Sequence, residues 1–219
     1  MVAPRRPYLP AAGYDWALPL YDPFVKLLGG DRALRGLVNQ ADLRAGHRVL
    51  DVGCGTGALA VMLKTRHPDL DVVGLDPDPK ALFRARRKAY GAKIAVQLDR
   101  GFSDELPYPD GSFDHVFSSF MLHHLDPEQK DRTAHEVRRV LKPGGLFHLL
   151  DFGGSGPSSE GFIARWFNAH HRLQDNFGGR ILALLNQAGF AEAKEVDRGR
   201  LFFTPIAYYR AARSKSTSA

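Results

Sequence analysis

The chain has 219 residues, enough for one domain with a substantial core, and its 44% hydrophobic and 25% charged content is ordinary for a globular protein. Its one cysteine, Cys54, excludes an internal disulfide and a zinc cluster of cysteines, and fits a reducing cytoplasm, where the chain is expected to reside. The net charge of +6 points toward anionic partners, but the basic residues are scattered, and their densest group, RARRK at 84–88, reads as a solvated helix face.

Taken in order, the first residues, MVAPRRPYLP, carry two adjacent arginines with no apolar core behind them, so they do not read as a secretion signal. No run in the chain approaches the length needed to span a bilayer. Proline and aromatics fill the stretch to residue 19, including Tyr14 and Trp16, and suggest an arm laid over the domain. Residues 21–40 have apolar positions at Phe24, Leu27, Leu28, Leu34, Leu37 and Val38, broken at Gly29-Gly30, which predicts two short amphipathic helices. Tyr14, Trp16 and Tyr21 either line a pocket or pack on the domain surface.

VLDVGCGTG at 49–57 is a buried strand turning through Gly53, Gly55 and Gly57 into the helical run ALAVMLK. Such a turn brings backbone N–H groups close to a ligand, and a Cβ would obstruct the approach. The GxGxG spacing lacks the third glycine position of the dinucleotide fingerprint. Next, DVVGLDPDP reads as a second strand ending at Asp76, about 20 residues past the glycines, where an acid can accept from two ribose hydroxyls side by side. Pro77 and Pro79 end that strand, and Asp78 reads as a helix cap. Strands fall near 48–52, 71–76, 94–98, 113–119 and 146–151, and helices near 57–66, 79–90 and 127–140. The alternation predicts an α/β fold: a doubly wound, mostly parallel, seven-stranded sheet with helices on both faces. Ligands in such sheets bind beyond the carboxyl ends of the strands. The glycines, Asp76, Ser103-Asp104, residues 118–124 and Asp151 all fall there.

The organisation expected is an N-terminal arm and helical cap at 1–40, a core at 41–151 and a lid insertion at 152–185. C-terminal strands at 186–212 complete the sheet, and a frayed tail occupies 213–219. GGSGPSSEG reads as a linker into the lid, and LFFTPIAYYRAA as a final antiparallel strand, at the sheet's edge or in its interior.

Four of these segments in order, VLDVGCGTG, VVGLDPDP, ELPYPDGSFDHVFSSFMLHHL and RRVLKPGG, resemble class I S-adenosylmethionine-dependent methyltransferases over residues 49–151. The branch most similar includes the ubiquinone/menaquinone biosynthesis methyltransferases. The resemblance implies S-adenosylmethionine as cofactor and direct in-line transfer of its methyl group to a small, aromatic acceptor, with no stable nucleic-acid partner. It implies cofactor contacts from Asp51, Gly53, Cys54, Gly55, Gly57, Asp76, Pro77, Ser103, Asp104 and Ser118. Asp51 can act through the cofactor's ammonium or through the backbone of the turn. Phe102 stands where the family commonly has an acid near the adenine amine, so Ser103 or Asp104 is the substitute. N-terminal helices and the segment after the fifth strand cover the site in that family.

His123 and His124 are the candidate catalytic residues, since imidazole accepts a proton near neutral pH; either acts as a base or orients a loop. His170 and His171 sit in the presumed lid. Four histidines and Asp151 invite a metal, but no tight ligand spacing supports one, so no metal is expected. His148, inside an apolar strand, reads as a satisfied core residue. Two alternatives remain within the resemblance: an RNA or protein methyltransferase, and a catalytically silent S-adenosylmethionine-binding protein. No appended basic RNA-binding domain is evident. A nicotinamide-dependent oxidoreductase is disfavoured by the glycine spacing.

Overall fold

In β1 (Arg48–Val52), Val49, Leu50 and Val52 are all fully buried, as the strand predicted from their apolar run requires. This computed structural model describes residues 29–154, 176–201 and 204–215. The arm through residue 28, with Tyr14, Trp16, Tyr21 and the first of the two expected N-terminal helices, lies outside the described residues, as do residues 155–175 with His170 and His171. The second expected helix is α1 (Gly30–Asn39), entered through Gly29 at φ 93°. It is followed by β1, α2 (Ala58–Arg66), β2 (Asp71–Asp76), α3 (Pro79–Gly91), β3 (Gln97–Arg100), β4 (Phe113–Ser119), α4 (Pro127–Val140), β5 (Leu141–Phe152), α5 (Arg180–Gln187), β6 (Ala191–Leu201) and β7 (Thr204–Ala212).

Among the described residues these strands form one seven-stranded sheet in the order β3-β2-β1-β4-β5-β7-β6. The first five pair in parallel, while β7 runs antiparallel to both β5 and β6. The final strand is therefore interior, and β6 takes the edge. On one face, Leu34 and Leu37 of α1 and Leu59 and Leu63 of α2 pack with Val49, Phe117, Leu150 and Tyr208. On the other, Val137 of α4 and Ile181 and Leu185 of α5 pack with Leu50, Val116, Leu149 and Tyr209. Strand order reverses between β1 and β4, so a crevice opens beyond their carboxyl ends.

Several boundaries differ from expectation for local reasons. The third strand begins at Gln97 rather than near 94. Residues 92–94 are consumed by a C-terminal helix motif in which Lys93 N–H donates to Tyr90 and Ile94 N–H to Ala89, with Lys93 left-handed at φ 54°. The fifth strand starts earlier, at Leu141. Its ladder with β4 jumps from Phe113↔Leu141 to His115↔Leu146, so Lys142–Gly145 bulge out within the strand. The expected division at 185/186 falls inside α5. Arg213, expected in a frayed tail, is anchored: its N–H donates to Gly145, its carbonyl accepts from Gly144, and its guanidinium donates to the carbonyls of Arg138, Arg139 and Leu141 at the end of α4. A cation there satisfies carbonyls that the helix leaves open.

Candidate functional site

At the end of β1 the chain passes through Gly53 (φ 72°), Gly55 (φ 52°) and Gly57 (φ 77°), all left-handed. A Cβ on Gly53 would stand 2.3 Å from Met121 Cγ, and one on Gly57 2.8 Å from Ala85 Cβ of α3. The first glycine thus admits the turn after β4, and the third lets α2 and α3 close together. The amides of Gly53 and Cys54 both donate to the Leu75 carbonyl of β2. Cys54 is buried, with Sγ packed on Gly74, and burial pushes its thiol up, so its side chain serves as packing.

Because Gly57 caps α2 with no side chain, the helix's third amide needs an acceptor from elsewhere. Asp51 supplies it: Oδ2 accepts from Ala60 N–H at 3.1 Å. Its other oxygen, Oδ1, is buried with no hydrogen-bond partner. Burial first, and the charge of Asp76 second, push the Asp51 carboxyl up to about 7 against the Ala60 bond. Asp76 ends β2 with Oδ2 accepting from Gly55 N–H and Oδ1 from Asp78 N–H, both at 2.8 Å. It is pushed up to about 6 by burial, which outweighs those two bonds. Each Asp76 oxygen retains a lone pair beyond its backbone bond. Asp78 is the helix cap expected of it, accepting from Lys80 N–H at the start of α3. The Pro77 carbonyl accepts from Arg100 Nε at 3.1 Å.

Ser103 and Asp104 are turned to α4. The Ser103 hydroxyl lies 2.9 Å from that of Thr133, and Asp104 pairs with Arg132 at 3.1 Å. Ser118, near the end of β4, is buried with its hydroxyl lacking a partner. Beyond it Phe120 adopts φ 53°, a conformation uncommon outside glycine. Met121 follows over Gly53, and then a short 3₁₀ turn, Leu122–His124.

That turn delivers His123 to the end of β5. His123 Nδ1 is 2.7 Å from Asp151 Oδ1, and His123 N–H donates to Oδ2 at 3.2 Å. Phe152 N–H also donates to Oδ1, at 2.7 Å. Asp151 is completely buried and its Oδ1 also accepts from Phe152 N–H, so it faces His123 as an acceptor, Nδ1 carries the proton and Nε2 is left with a lone pair. The His123 ring, 14% exposed, meets Phe152 edge-on at 5.0 Å and the His124 ring at 4.1 Å. The structure therefore brings the glycine turn, Asp51, Asp76, Ser118 and His123 to one end of the sheet together with Asp151 and Met121, which sequence reasoning placed at the strand ends without foreseeing the His123–Asp151 pair or the contact of Met121 with Gly53. A usable signal existed for Asp151, since β4 and β5 are parallel neighbours whose ends must adjoin.

His148 belongs to a different array. Arg44 N–H donates to His47 Nδ1, so His115 Nε2, 3.2 Å from that nitrogen, must also be a donor. His115 Nδ1 then accepts from His148 Nε2 at 3.1 Å, and His148 Nδ1 is buried without a partner. The residue is in the core, as expected, but satisfied at one nitrogen only. Burial pushes His115 down to about 4 and His148 to about 3, each with help from its neighbours' charge. Among the described residues no group of three or more His, Cys, Asp or Glu is placed to hold a metal, and no helix is long and apolar enough to cross a membrane.

A family model described as "methyltransferase domain" matches residues 49–145. A demethylmenaquinone methyltransferase of Thermus thermophilus is 37% identical over 166 residues, which cover 74% of this chain and 74% of that protein. A 27-O-demethylrifamycin SV methyltransferase of Amycolatopsis mediterranei is 39% identical over 118 residues, 53% of this chain and 42% of that one. Among solved structures, phosphoethanolamine N-methyltransferase 2 of Haemonchus contortus in complex with S-adenosyl-L-methionine superposes with TM-score 0.70 over 84% of this chain and 52% of that one; at 18% identity it speaks for the fold alone.

Proposed function

The chain belongs to the class I S-adenosylmethionine-dependent methyltransferases, and from that membership we propose that it methylates a small aromatic acceptor whose nucleophile carries a proton to be removed. The observation that carries the second half is the His123–Asp151 pair, which leaves Nε2 of a held imidazole as a proton acceptor. Phe152, edge-on to His123, and Phe120, 5.2 Å from Phe152, offer an aromatic ring a flat apolar neighbour.

The residues present fit the cofactor. The buried, unpartnered Oδ1 of Asp51 suits an ammonium, and the spare lone pairs of Asp76 suit the two hydroxyls of a ribose. Gly53, Gly55 and Gly57 keep side chains out of the turn between them. Pro77 follows Asp76 along the same rim. Ser103 and Asp104 act by holding their loop to α4, and Ser118 presents a bare hydroxyl beneath the crevice. S-adenosylmethionine supplies a methyl group already activated on a sulfonium, so orientation accounts for much of the rate, roughly 7–11 kcal/mol for well-aligned reactants. His123 Nε2 takes the proton as the acceptor atom attacks, and Asp151 stabilises the imidazolium that results. His124, its ring tilted against that of His123, borders the same space.

The test is calorimetric titration with S-adenosylmethionine, S-adenosylhomocysteine and NADH, followed by transfer of labelled methyl to hydroxylated aromatics and to their hydroxyl-blocked counterparts. Binding of the first two only, with transfer to the free hydroxyls, is expected. NADH binding, or equal transfer to acceptors with no proton to lose, would overturn the reading.

A further inference from the structure

Helix α3 presents a surface that methyl transfer does not use. Its buried side is Ala81, Leu82, Ala85 and Ala89. Its outer side carries Lys80, Phe83, Arg86, Arg87 and Tyr90, all exposed. Positions 80, 83, 87 and 90 follow a three-four-three spacing, so they form one stripe along the helix. Phe83 (59% exposed) and Tyr90 (86% exposed) are the exposed large hydrophobic residues among those described, and both lie on this stripe. Single exposed apolar residues are common, but here the two share one helix face with Arg87 between them and the exposed Arg86 beside it. The sequence of α3, PKALFRARRKAYG, has five cations and no acid.

We propose that this face of α3 docks reversibly on an anionic lipid bilayer surface. A convex helix with an aromatic near each end and cations between matches that partner: the rings enter the headgroup region while the guanidinium groups meet lipid phosphates. Phe83 and Tyr90 stand about 10 Å apart along the axis with no ring between them, which suits a flat surface better than the successive stacked bases of a nucleic-acid strand. Arg86 also donates to the Leu98 carbonyl of β3 at 3.2 Å, which holds it against the body of the domain. Since Pro79 opens α3 three residues after Asp76, docking along the stripe brings that end of the site close to the lipid.

The experiment is co-sedimentation of the full chain with phosphatidylcholine vesicles and with vesicles doped with phosphatidylglycerol, at low and high salt, alongside filter retention of bulk RNA. Wild-type protein should sediment with the anionic vesicles only and be released by salt. The pair Arg86→Gln/Arg87→Gln should lower partition about thirty-fold, taking the usual contribution of a surface cation twice. The pair Phe83→Ser/Tyr90→Ser should also lower it, with circular dichroism reporting an intact fold in both. No vesicle binding, equal binding to neutral vesicles, or wild-type binding by either variant pair would overturn the proposal. So would RNA retention that depends on these arginines while anionic vesicles are ignored.

Discussion

Two aspartates close two strands of the same sheet, and both are completely buried, yet their surroundings differ. Asp51, at the end of β1, accepts one backbone hydrogen bond and leaves an oxygen bare; burial and Asp76 hold its carboxyl near 7. Asp151, at the end of β5, accepts from His123 twice and from Phe152 once. A carboxylate in low dielectric is stabilised by the donors around it. Where they are too few, as at Asp51, the group is poised to gain from a cation; where they are sufficient, as at Asp151, it becomes an anchor that fixes another side chain. Residue type and strand position are the same, and the count of donors separates the binding role proposed for Asp51 from the positioning role proposed for Asp151.

The largest effect should come from disturbing the anchor. Asp151→Asn keeps the shape but offers His123 Nδ1 an amide in place of a carboxylate, which favours the wrong tautomer. Methyl transfer should fall by about 10²–10⁴, the usual contribution of a positioned base, while calorimetric affinity for S-adenosylmethionine stays as in the parent. An equal loss of affinity would mean that the two carboxylates do not divide the work. Asp51→Asn should do the reverse: Asn can still accept from Ala60 N–H, but the charge is gone, and cofactor affinity should weaken by about 10- to 100-fold. In the parent, affinity should rise as pH increases toward 7 and then level off, because binding an ammonium must first expel the Asp51 proton. In the variant that rise should be absent.

The same contrast has a stability signature. His115 and His148 refuse protons that the unfolded chain accepts near 6.5, so stability from them is full above that pH and is lost as pH falls toward 4 and 3. Asp51 and Asp76 act oppositely: their folded values of about 7 and about 6 lie above the ordinary 3.8, so the folded chain holds extra protons in between and is stabilised as pH falls. The two effects offset each other over much of that window. Asp51→Asn removes one of the compensating protons, so chemical denaturation between pH 4 and 6.5 should show a stability that declines with falling pH more steeply than the parent's, by roughly 1.4 kcal/mol per unit. Parallel curves would place the Asp51 proton elsewhere. The smallest effect belongs to a position remote from both aspartates. Lys93 holds a left-handed backbone at the end of α3, and Lys93→Gly should raise the unfolding free energy by about 0.5–1 kcal/mol without altering cofactor affinity.

The features legible in the order of residues alone were local. The strand-glycine-helix passage at 49–57, the acid ending β2, the Asp78 cap and the bounds of α3 and α4 all depend on interactions between residues close in the chain, where periodicity, proline and glycine carry the information. The glycines also announced the crevice, because three left-handed positions within five residues admit few other residues. Tertiary structure decided the rest. The third strand began late because the end of α3 used its first residues, and β7 went inside the sheet because its partners are β5 and β6. Ser103 and Asp104 were engaged by Thr133 and Arg132, about thirty residues away. His123 found Asp151 across 28 residues, and His148 found His115 across 33. Such pairings depend on which strands become neighbours and in what register, a choice made by the packing of the whole sheet, so no stretch of sequence taken alone could display them.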